Sequence, residues 1–400
     1  MKSGMSSRRL GLIDDHIERN YIDTGKFTGS LVGIYRKGRL VHDSTMGLMD
    51  RERKKPVEWD TVFRIFSMTK PVTSVALMML FEKGLIQLDD PVYRYIPSFR
   101  KLEVYVSGVD GSFETRAPDR SLTIKDLLSH QSGFTYDFLK ENEIDAAYSS
   151  RGIGSATQKD LASLIDSLSD LPLLFSPGDR WNYSVSTDVC GHLVELISGQ
   201  SLDTFFYENI FEPLGMSDTG FYVPAVDIPR FSANYLYNLN GLPKLLDDPF
   251  YSRFIMLPSF LSGGGGLGAS AVDYLSFCRM ILGGGELNGN RILSRKTIDL
   301  MSANHLTGGV DLAEVASGRW SETSYQGMGF GLGFSVVKDP SMTLVPGSVG
   351  ELAWGGMANT AFWIDPLEDM AVVFMTQLVP SGIYNIRREL RTLVYSAIED

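Results

Sequence analysis

Ser67 and Lys70 are the residues whose types and spacing most clearly suggest covalent chemistry. They belong to the tetrapeptide SMTK, directly before the apolar run PVTSVALMMLFEK at residues 71–83. Residues three apart share one face of an α-helix, so the lysine amine can reach the serine hydroxyl. A serine hydroxyl becomes a useful nucleophile when a neighbouring base takes its proton. The spacing therefore predicts Ser67 as a nucleophile and Lys70 as its partner.

This spacing alone is weak evidence, because the chain has a second copy of it. Residues 98–101 (SFRK) follow Pro97 in a polar stretch with no apolar helix behind them. Such a stretch is typical of a solvated turn, and short motifs often match by chance. Ser67 therefore needs support from other parts of the chain.

A tyrosine is a candidate for the second proton-handling group that Ser-x-x-Lys enzymes require. Tyr183 lies in SPGDRWNYSVSTDVCG, after a Pro-Gly turn and before a helix that begins near Ser186 or Thr187. It is also one of 17 tyrosines, and ring packing at a helix entrance explains it equally well. The segment alone leaves both interpretations open.

The third candidate element is Trp354-Gly355-Gly356-Met357, just before a predicted β-strand. Paired glycines let a backbone approach a ligand closely. An N–H from this edge could act with the N–H of Ser67 as an oxyanion hole. A plain glycine turn would give the same pattern.

Composition and charge argue against several other functions. The formal net charge of −11 would repel nucleic acids and anionic membranes, so we expect neither as a partner. The five histidines and two cysteines show no ligand spacing, so we expect no metal. The GxGxxG match at residues 263–268 lacks a βαβ unit, and we expect no cofactor. Asp14, Asp15 and Glu18 interrupt any signal-peptide core, and no apolar run reaches ~20 residues, so we expect a cytoplasmic protein.

The pattern of elements predicts an α+β fold. Strand-like segments occur near both ends of the chain, around residues 30–44 and 327–378, with short helical stretches between them. We therefore predict one sheet lobe from residues 1–89 and 260–400 and a mostly helical inserted lobe from residues 90–259. The active site would lie in the cleft between the lobes.

Six ordered motifs resemble those of the serine β-lactamase and DD-peptidase superfamily. They are SMTKP, LLSHQSGF, SPGDRWNYS, FEPLGMSDTGF, SGGGGLGA and WGGMANTAFWIDP, and the likeness covers about residues 30–380. It is closest to the class C β-lactamase-like carboxylesterases called family VIII. The resemblance implies a mainly antiparallel sheet flanked by helices, plus a mostly helical lobe.

The resemblance also implies roles for individual residues. Ser67 would be the nucleophile, Lys70 its partner and Tyr183 the general base. The backbone N–H groups of Ser67 and Met357 would form the oxyanion hole. The substrate-binding residues implied are Tyr136, Trp354, Gly355 and Gly356.

Two departures from the β-lactamase pattern bear on the substrate. True β-lactamases have an asparagine two residues after the tyrosine and a lysine that opens the strand motif, whereas this chain has Val185 and Trp354. The missing lysine removes a cation that would hold a substrate carboxylate. Both changes favour short- to medium-chain neutral esters as small-molecule substrates.

The proton chemistry of Tyr183 and Lys70 is coupled. A phenolate near neutral pH requires the pKa of Tyr183 to fall by ~3, or about 4 kcal/mol. The Lys70 ammonium could supply much of this, so the two groups would share one proton. Which of them is the resting base stays open.

Three other functions remain as alternatives. A β-lactamase or DD-peptidase and an acyltransferase would use the same acylation chemistry on Ser67. A non-catalytic binding or scaffold protein would have lost Ser67, Lys70 or Tyr183, and all three are present. The sequence does not indicate an oligomeric state.

Overall fold

The computed structural model describes residues 4–154, 158–318 and 322–400. Its α-helices are α1 Ser7–Ile17, α2 Thr69–Glu82, α3 Ile124–Leu128, α4 Glu143–Arg151, α5 Leu161–Ser169, α6 Ser186–Ser198, α7 Leu202–Phe206, α8 Glu212–Leu214, α9 Ala271–Leu282, α10 Arg295–Met301, α11 Leu312–Val315, α12 Pro340–Thr343 and α13 Ile386–Ser396. Its strands are β1 Gly29–Arg36, β2 Arg39–Asp50, β3 Lys55–Pro56, β4 Val62–Arg64, β5 Val104–Ser107, β6 Glu114–Arg116, β7 Asn234–Leu236, β8 Lys244–Asp247, β9 Gly268–Ser270, β10 Glu286–Leu287, β11 Asn290–Arg291, β12 Met328–Phe330, β13 Ser335–Val337, β14 Leu352–Gly355, β15 Ala361–Asp365, β16 Met370–Thr376 and β17 Leu378–Val379.

Short helices of other types complete the secondary structure. The 3₁₀ helices are Phe66–Met68, Val92–Arg94, Pro97–Lys101, Ile228–Arg230, Arg253–Ile255 and Thr307–Gly309, and the π-helical turns are Glu18–Ile22 and Tyr207–Phe211. In the described part of the chain, no helix combines the length and apolar composition that a membrane crossing requires.

The main sheet has eight strands in the order β12-β13-β14-β15-β16-β1-β2-β3. Its neighbouring strands pair antiparallel, and β1 meets β16 in a register that runs from Ser30 opposite Thr376 to Arg36 opposite Met370. Strands from the two ends of the chain therefore lie side by side at the centre of one sheet. This arrangement confirms the predicted α+β fold and its sheet built from both ends.

Both faces of the central strands are buried, which explains their nearly continuous apolar sequences. Successive side chains of a strand point to opposite faces. In β1, Leu31 joins the larger apolar core, whereas Val32 and Ile34 join a second core on the other face. That second core contains apolar residues of α1 and α13 at helical spacing, namely Leu10, Ile13, Ile17, Ile386, Leu390 and Val394.

Helix α2 is the buried element that follows the Ser67 motif. Eleven of its side chains are buried, so its apolar residues pack on all sides. Pro71 lies in its first turn, where a missing N–H costs least. Gly84, just beyond its end, has φ +71°, a conformation that glycine adopts readily. The predicted helix is confirmed, and it contacts both α6 and α7.

The inserted region contains strands as well as helices α3 to α8. Strands β7 and β8 form a small sheet with β17, which follows the last strand of the main sheet. Strand β7 of the inserted region is thus joined by hydrogen bonds to residues 378–379. The lobe boundary at residue 259 stays a prediction, because this sheet connects the two sides of it.

Candidate active site

A tight turn presents Ser67 at the entrance to α2. Strand β4 pairs with β9, and the chain then forms the single 3₁₀ turn Phe66–Met68 before the helix begins. Phe66 adopts φ +43°, which is unfavourable for a bulky side chain and is tolerated where the surroundings enforce it. Ser67 is 9% exposed and lines a cavity of about 460 Å³. The hydroxyl is therefore held in place and still reachable.

Lys70 lies directly behind Ser67 and is almost completely buried. Its Nζ is 3.4 Å from Ser67 Oγ and donates a hydrogen bond to the carbonyl oxygen of Gly264 at 2.7 Å. The same nitrogen lies over the rings of Tyr183 and Tyr136, 4.5 and 5.2 Å from their centroids. The structure thus brings Lys70 to Ser67 as the helical spacing predicts.

The surroundings of Lys70 lower its pKa and so favour the uncharged amine. Burial lowers the pKa of Lys70 from 10.5 to about 7, because a charged ammonium loses its hydration there. The carboxylates of Asp188 and Glu322 act in the opposite direction and raise this pKa. At neutral pH a substantial fraction of Lys70 is therefore able to accept a proton.

Tyr183 completes a three-residue cluster with Ser67 and Lys70. Its hydroxyl donates a hydrogen bond to Ser67 Oγ at 2.6 Å, and the side chain is 1% exposed. The ring packs among aromatic side chains, with centroids 5.2 Å from His130 and 5.4 Å from Trp354. The Ser67 oxygen consequently has the amine on one side and the phenol on the other.

The pKa of Tyr183 shifts upward, opposite to the fall that a resting phenolate needs. Burial raises it well above 10, and the charge of Glu322 adds to the rise. Interactions with Ser67 and Trp354 act against the rise but are smaller. Desolvation is the largest of these influences, so the Tyr183 hydroxyl stays protonated near neutral pH.

Asp188 is a site residue that sequence reasoning missed. It is buried in α6, five residues after Tyr183, and it also lines the cavity. Its Oδ1 accepts hydrogen bonds from Ser262 Oγ at 2.6 Å and from the Gly264 N–H at 3.0 Å. The carbonyl of Gly264 in turn binds Lys70. The available signal was an acidic residue in the first turn of the helix predicted after Tyr183.

The glycine run at residues 263–266 lets the chain pass close to Thr187 and Asp188 of α6. A Cβ at Gly264 would lie 2.5 Å from Asp188 Oδ2, and a Cβ at Gly263 would lie 2.9 Å from the Thr187 carbonyl oxygen. Real Cβ atoms do not approach other atoms so closely, so Gly263 and Gly264 allow the run to pack directly against α6.

The predicted oxyanion donors lie on one cavity. Ser67 and Met357 both line it, and in the described part of the chain neither N–H donates to a backbone carbonyl. Met357 belongs to the turn between β14 and β15, which Gly356 closes by donating its N–H to the Thr360 carbonyl at 2.8 Å. The structure thus places both residues at one cavity, and their role as oxyanion donors stays a prediction.

The predicted substrate contacts divide into two groups. Tyr136 lines the cavity, as the motif likeness implies. Trp354 is 2% exposed, and its ring packs against that of Tyr183. Gly355 lies against the Arg387 guanidinium, where a Cβ would have no room. Substrate binding by Trp354, Gly355 and Gly356 stays a prediction, because their positions give them a more direct part in packing beneath the cleft.

The second Ser-x-x-Lys copy forms no comparable cluster. Residues 98–101 lie within the 3₁₀ turn Pro97–Lys101, and the side chain of Lys101 is exposed. The apolar helix behind Ser67 therefore distinguishes the two copies, as the sequence predicts.

A serine, a lysine and a tyrosine in contact beside an antiparallel sheet define a serine hydrolase-type enzyme of the β-lactamase fold. The chain belongs to the Beta-lactamase family, whose sequence profile matches residues 15–395.

Relatives of known sequence and structure match the chain over most of its length. Protein Rv1367c of Mycobacterium tuberculosis (strain ATCC 25618 / H37Rv) is 35% identical over 365 residues, covering 90% of this chain and 88% of its own. Esterase EstB of Burkholderia gladioli is 29% identical over 393 residues, covering 93% and 91%. The structure of EstCE1, described as a hydrolase with promiscuous acyltransferase activity, superposes with a TM-score of 0.80 at 27% identity and covers 98% and 99% of the two chains.

The pH dependence of the reaction should reflect the protonation of Lys70. Burial lowers the pKa of His130 and raises the pKa of Tyr136 and Tyr183, so these three stay uncharged near neutrality. If free Lys70 is the base, kcat/KM for a neutral ester should rise with pH through a midpoint near 7. Asp188→Asn removes a charge that favours the ammonium, so the midpoint should move to lower pH.

Asp137→Asn is the matched control, because Asp137 lines the same cavity but does not contribute to the pKa shift of Lys70. Its midpoint should equal that of the wild type. A midpoint that moves to higher pH in Asp188→Asn, or that does not move, contradicts this assignment.

Proposed function

We propose that this protein is a serine carboxylesterase of the family VIII type, which hydrolyses short- to medium-chain neutral esters through an acyl-enzyme on Ser67. The observation behind the proposal is the position of Ser67 Oγ, 2.6 Å from the Tyr183 hydroxyl and 3.4 Å from Lys70 Nζ at the edge of the cavity. This contact geometry also argues against a non-catalytic role.

In the acylation step Ser67 Oγ attacks the ester carbonyl carbon and its proton passes to the Lys70 amine. The carbonyl oxygen becomes an oxyanion, which the N–H groups of Ser67 and Met357 stabilise. When the C–O bond to the alcohol breaks, the leaving oxygen takes a proton from the Tyr183 hydroxyl. Lys70 returns its proton to Tyr183, so the pair ends neutral.

Deacylation repeats the sequence with water as the nucleophile. Water attacks the acyl carbonyl, its proton passes to Lys70, and Ser67 Oγ leaves with a proton from Tyr183. The upward pKa shift of Tyr183 supports a proton-donor role, and the downward shift of Lys70 supports a base role. The structure therefore favours Lys70 over Tyr183 as the resting base.

The cleft suits a neutral, apolar substrate. Exposed Phe138, Met256 and Leu257 line its mouth. Asp137 and Asp188 outnumber the cation Arg253 in the lining, which disfavours a carboxylate-bearing substrate.

The two positions that depart from the β-lactamase pattern are both buried. Val185 is completely buried, so no amide is offered there to a peptide-like side chain. Together with the buried Trp354, it supports ester hydrolysis over β-lactam or peptide turnover.

Acyl transfer is the second candidate function. EstCE1 combines hydrolysis with promiscuous acyl transfer, and the apolar mouth of this cleft could seat an alcohol in place of water. The acyl-enzyme on Ser67 is common to both reactions, and only the acceptor differs.

Substitution of the nucleophile tests the proposal directly. Ser67→Ala should lower kcat/KM on p-nitrophenyl butyrate by at least about 10⁴-fold, because no covalent intermediate can form. Ser98→Ala, in the second motif copy, should stay within about twofold of wild type. Full activity in Ser67→Ala would disprove the assignment.

Substrate preference separates the alternatives. Wild-type kcat/KM should be higher for p-nitrophenyl butyrate than for nitrocefin by roughly tenfold or more, which corresponds to about 1.4 kcal/mol of transition-state binding. Faster turnover of nitrocefin would identify a β-lactamase instead. Adding an alcohol during ester turnover and measuring the new ester would show how far the acyl group is transferred.

A further inference from the structure

A partly buried arginine lies behind the turn that presents Met357. Arg387, near the start of α13, donates from one guanidinium nitrogen to the carbonyl oxygens of Gly356 and Thr360, both at 2.9 Å. These carbonyls belong to the two ends of the turn at residues 356–360. One guanidinium therefore holds both ends of the turn that contains Met357.

The other side of this guanidinium binds Glu322. Arg387 donates to the Glu322 backbone carbonyl at 3.0 Å and forms an ion pair with its Oε2 at 2.6 Å. Ser381 Oγ donates to Glu322 Oε1 at 3.0 Å. The Glu322 side chain is completely buried, and the Arg387 side chain is 17% exposed. Because an unpaired buried charge is costly, each member of the pair fixes the other.

The two glycines of the strand motif fit this arrangement. A Cβ at Gly355 would lie 2.5 Å from the Arg387 guanidinium, so a side chain there would displace the arginine. A Cβ at Gly356 would lie 2.4 Å from the carbonyl oxygen of Ile65, two residues before Ser67. The glycine pair thus admits the guanidinium on one side and brings the turn against the Ser67 segment on the other.

We propose that Arg387, held by Glu322, is a positioning residue for the oxyanion hole. It fixes the turn at residues 356–360 so that the Met357 N–H faces the position of the developing oxyanion. A planar guanidinium can bind two carbonyls and a carboxylate together, which a lysine ammonium does less well. The inference rests on the proposed function, in which that N–H receives charge in the transition state.

Arg391 provides a matched control on the same helix. It pairs with Glu351 at 2.7 Å, and the side chains are 17% and 1% exposed, close to the 17% and 0% of Arg387 and Glu322. The bonds of Arg391 go to Glu351, not to the turn at residues 356–360. Arg387→Gln and Arg391→Gln therefore each remove the partner of one buried carboxylate, and only the first releases the turn.

The expected result is a loss of kcat in Arg387→Gln on the order of 10²-fold with little change in KM, because the donor serves the transition state. Butylboronic acid forms a tetrahedral adduct with a serine hydroxyl, so its affinity should weaken by a similar factor. Arg387→Lys should recover little of either quantity. Arg391→Gln should keep kcat and boronate affinity near wild type, even with a lower melting temperature.

Several outcomes would overturn the proposal. These are an equal fall of kcat in both glutamine variants, an effect of Arg387→Gln on KM alone, or an unchanged boronate affinity. A wild-type protein that binds the boronate but hydrolyses no ester would refute the proposed function. Comparing boronate affinity in Arg387→Gln and Arg391→Gln would then still test whether Arg387 positions the Met357 N–H. A wild-type protein that binds no boronate would refute the positioning itself.

Discussion

A primary amine held out of water is the constraint on which the site depends. An exposed lysine stays protonated at neutral pH and cannot take a proton from a serine. The burial of Lys70 lowers its pKa to about 7, and the carboxylates of Asp188 and Glu322 limit that change by favouring the ammonium. The apolar surface of α2 and the rings of Tyr136 and Tyr183 keep the amine dry. The elements around Ser67 thus set the protonation state of the Lys70 amine.

Much of the fold could be predicted from the sequence because its signals are local. The apolar run after Ser67 predicts a helix, and the structure confirms it as Thr69–Glu82. Strand patterns at both ends of the chain predict one sheet, which the pairing of β1 with β16 confirms. The small sheet of β7, β8 and β17 was not predicted. Its strands have two to four residues, too few for a periodic pattern, and their pairing joins distant parts of the chain.

The site was predictable in its members but not in its electrostatics. The motifs identified Ser67, Lys70 and Tyr183, and the structure places them in contact. The upward pKa shift of Tyr183 could not be read from the sequence, because it arises from burial and from Glu322, distant in the chain. The Arg387–Glu322 pair was missed for the same reason. An ion pair between distant segments leaves no spacing pattern in the sequence. The adjacent glycines Gly355 and Gly356 are visible there as a motif.

The central claim is that a buried lysine activates Ser67 to form a covalent acyl-enzyme. The most direct measurement is rapid-quench mass spectrometry during turnover of p-nitrophenyl butyrate at a series of pH values, followed by peptide mapping. The account predicts the mass of one butyryl group on the peptide that contains Ser67, formed at a rate that rises with pH through a midpoint near 7. An adduct on another residue, or a rate independent of pH across the neutral range, would contradict it.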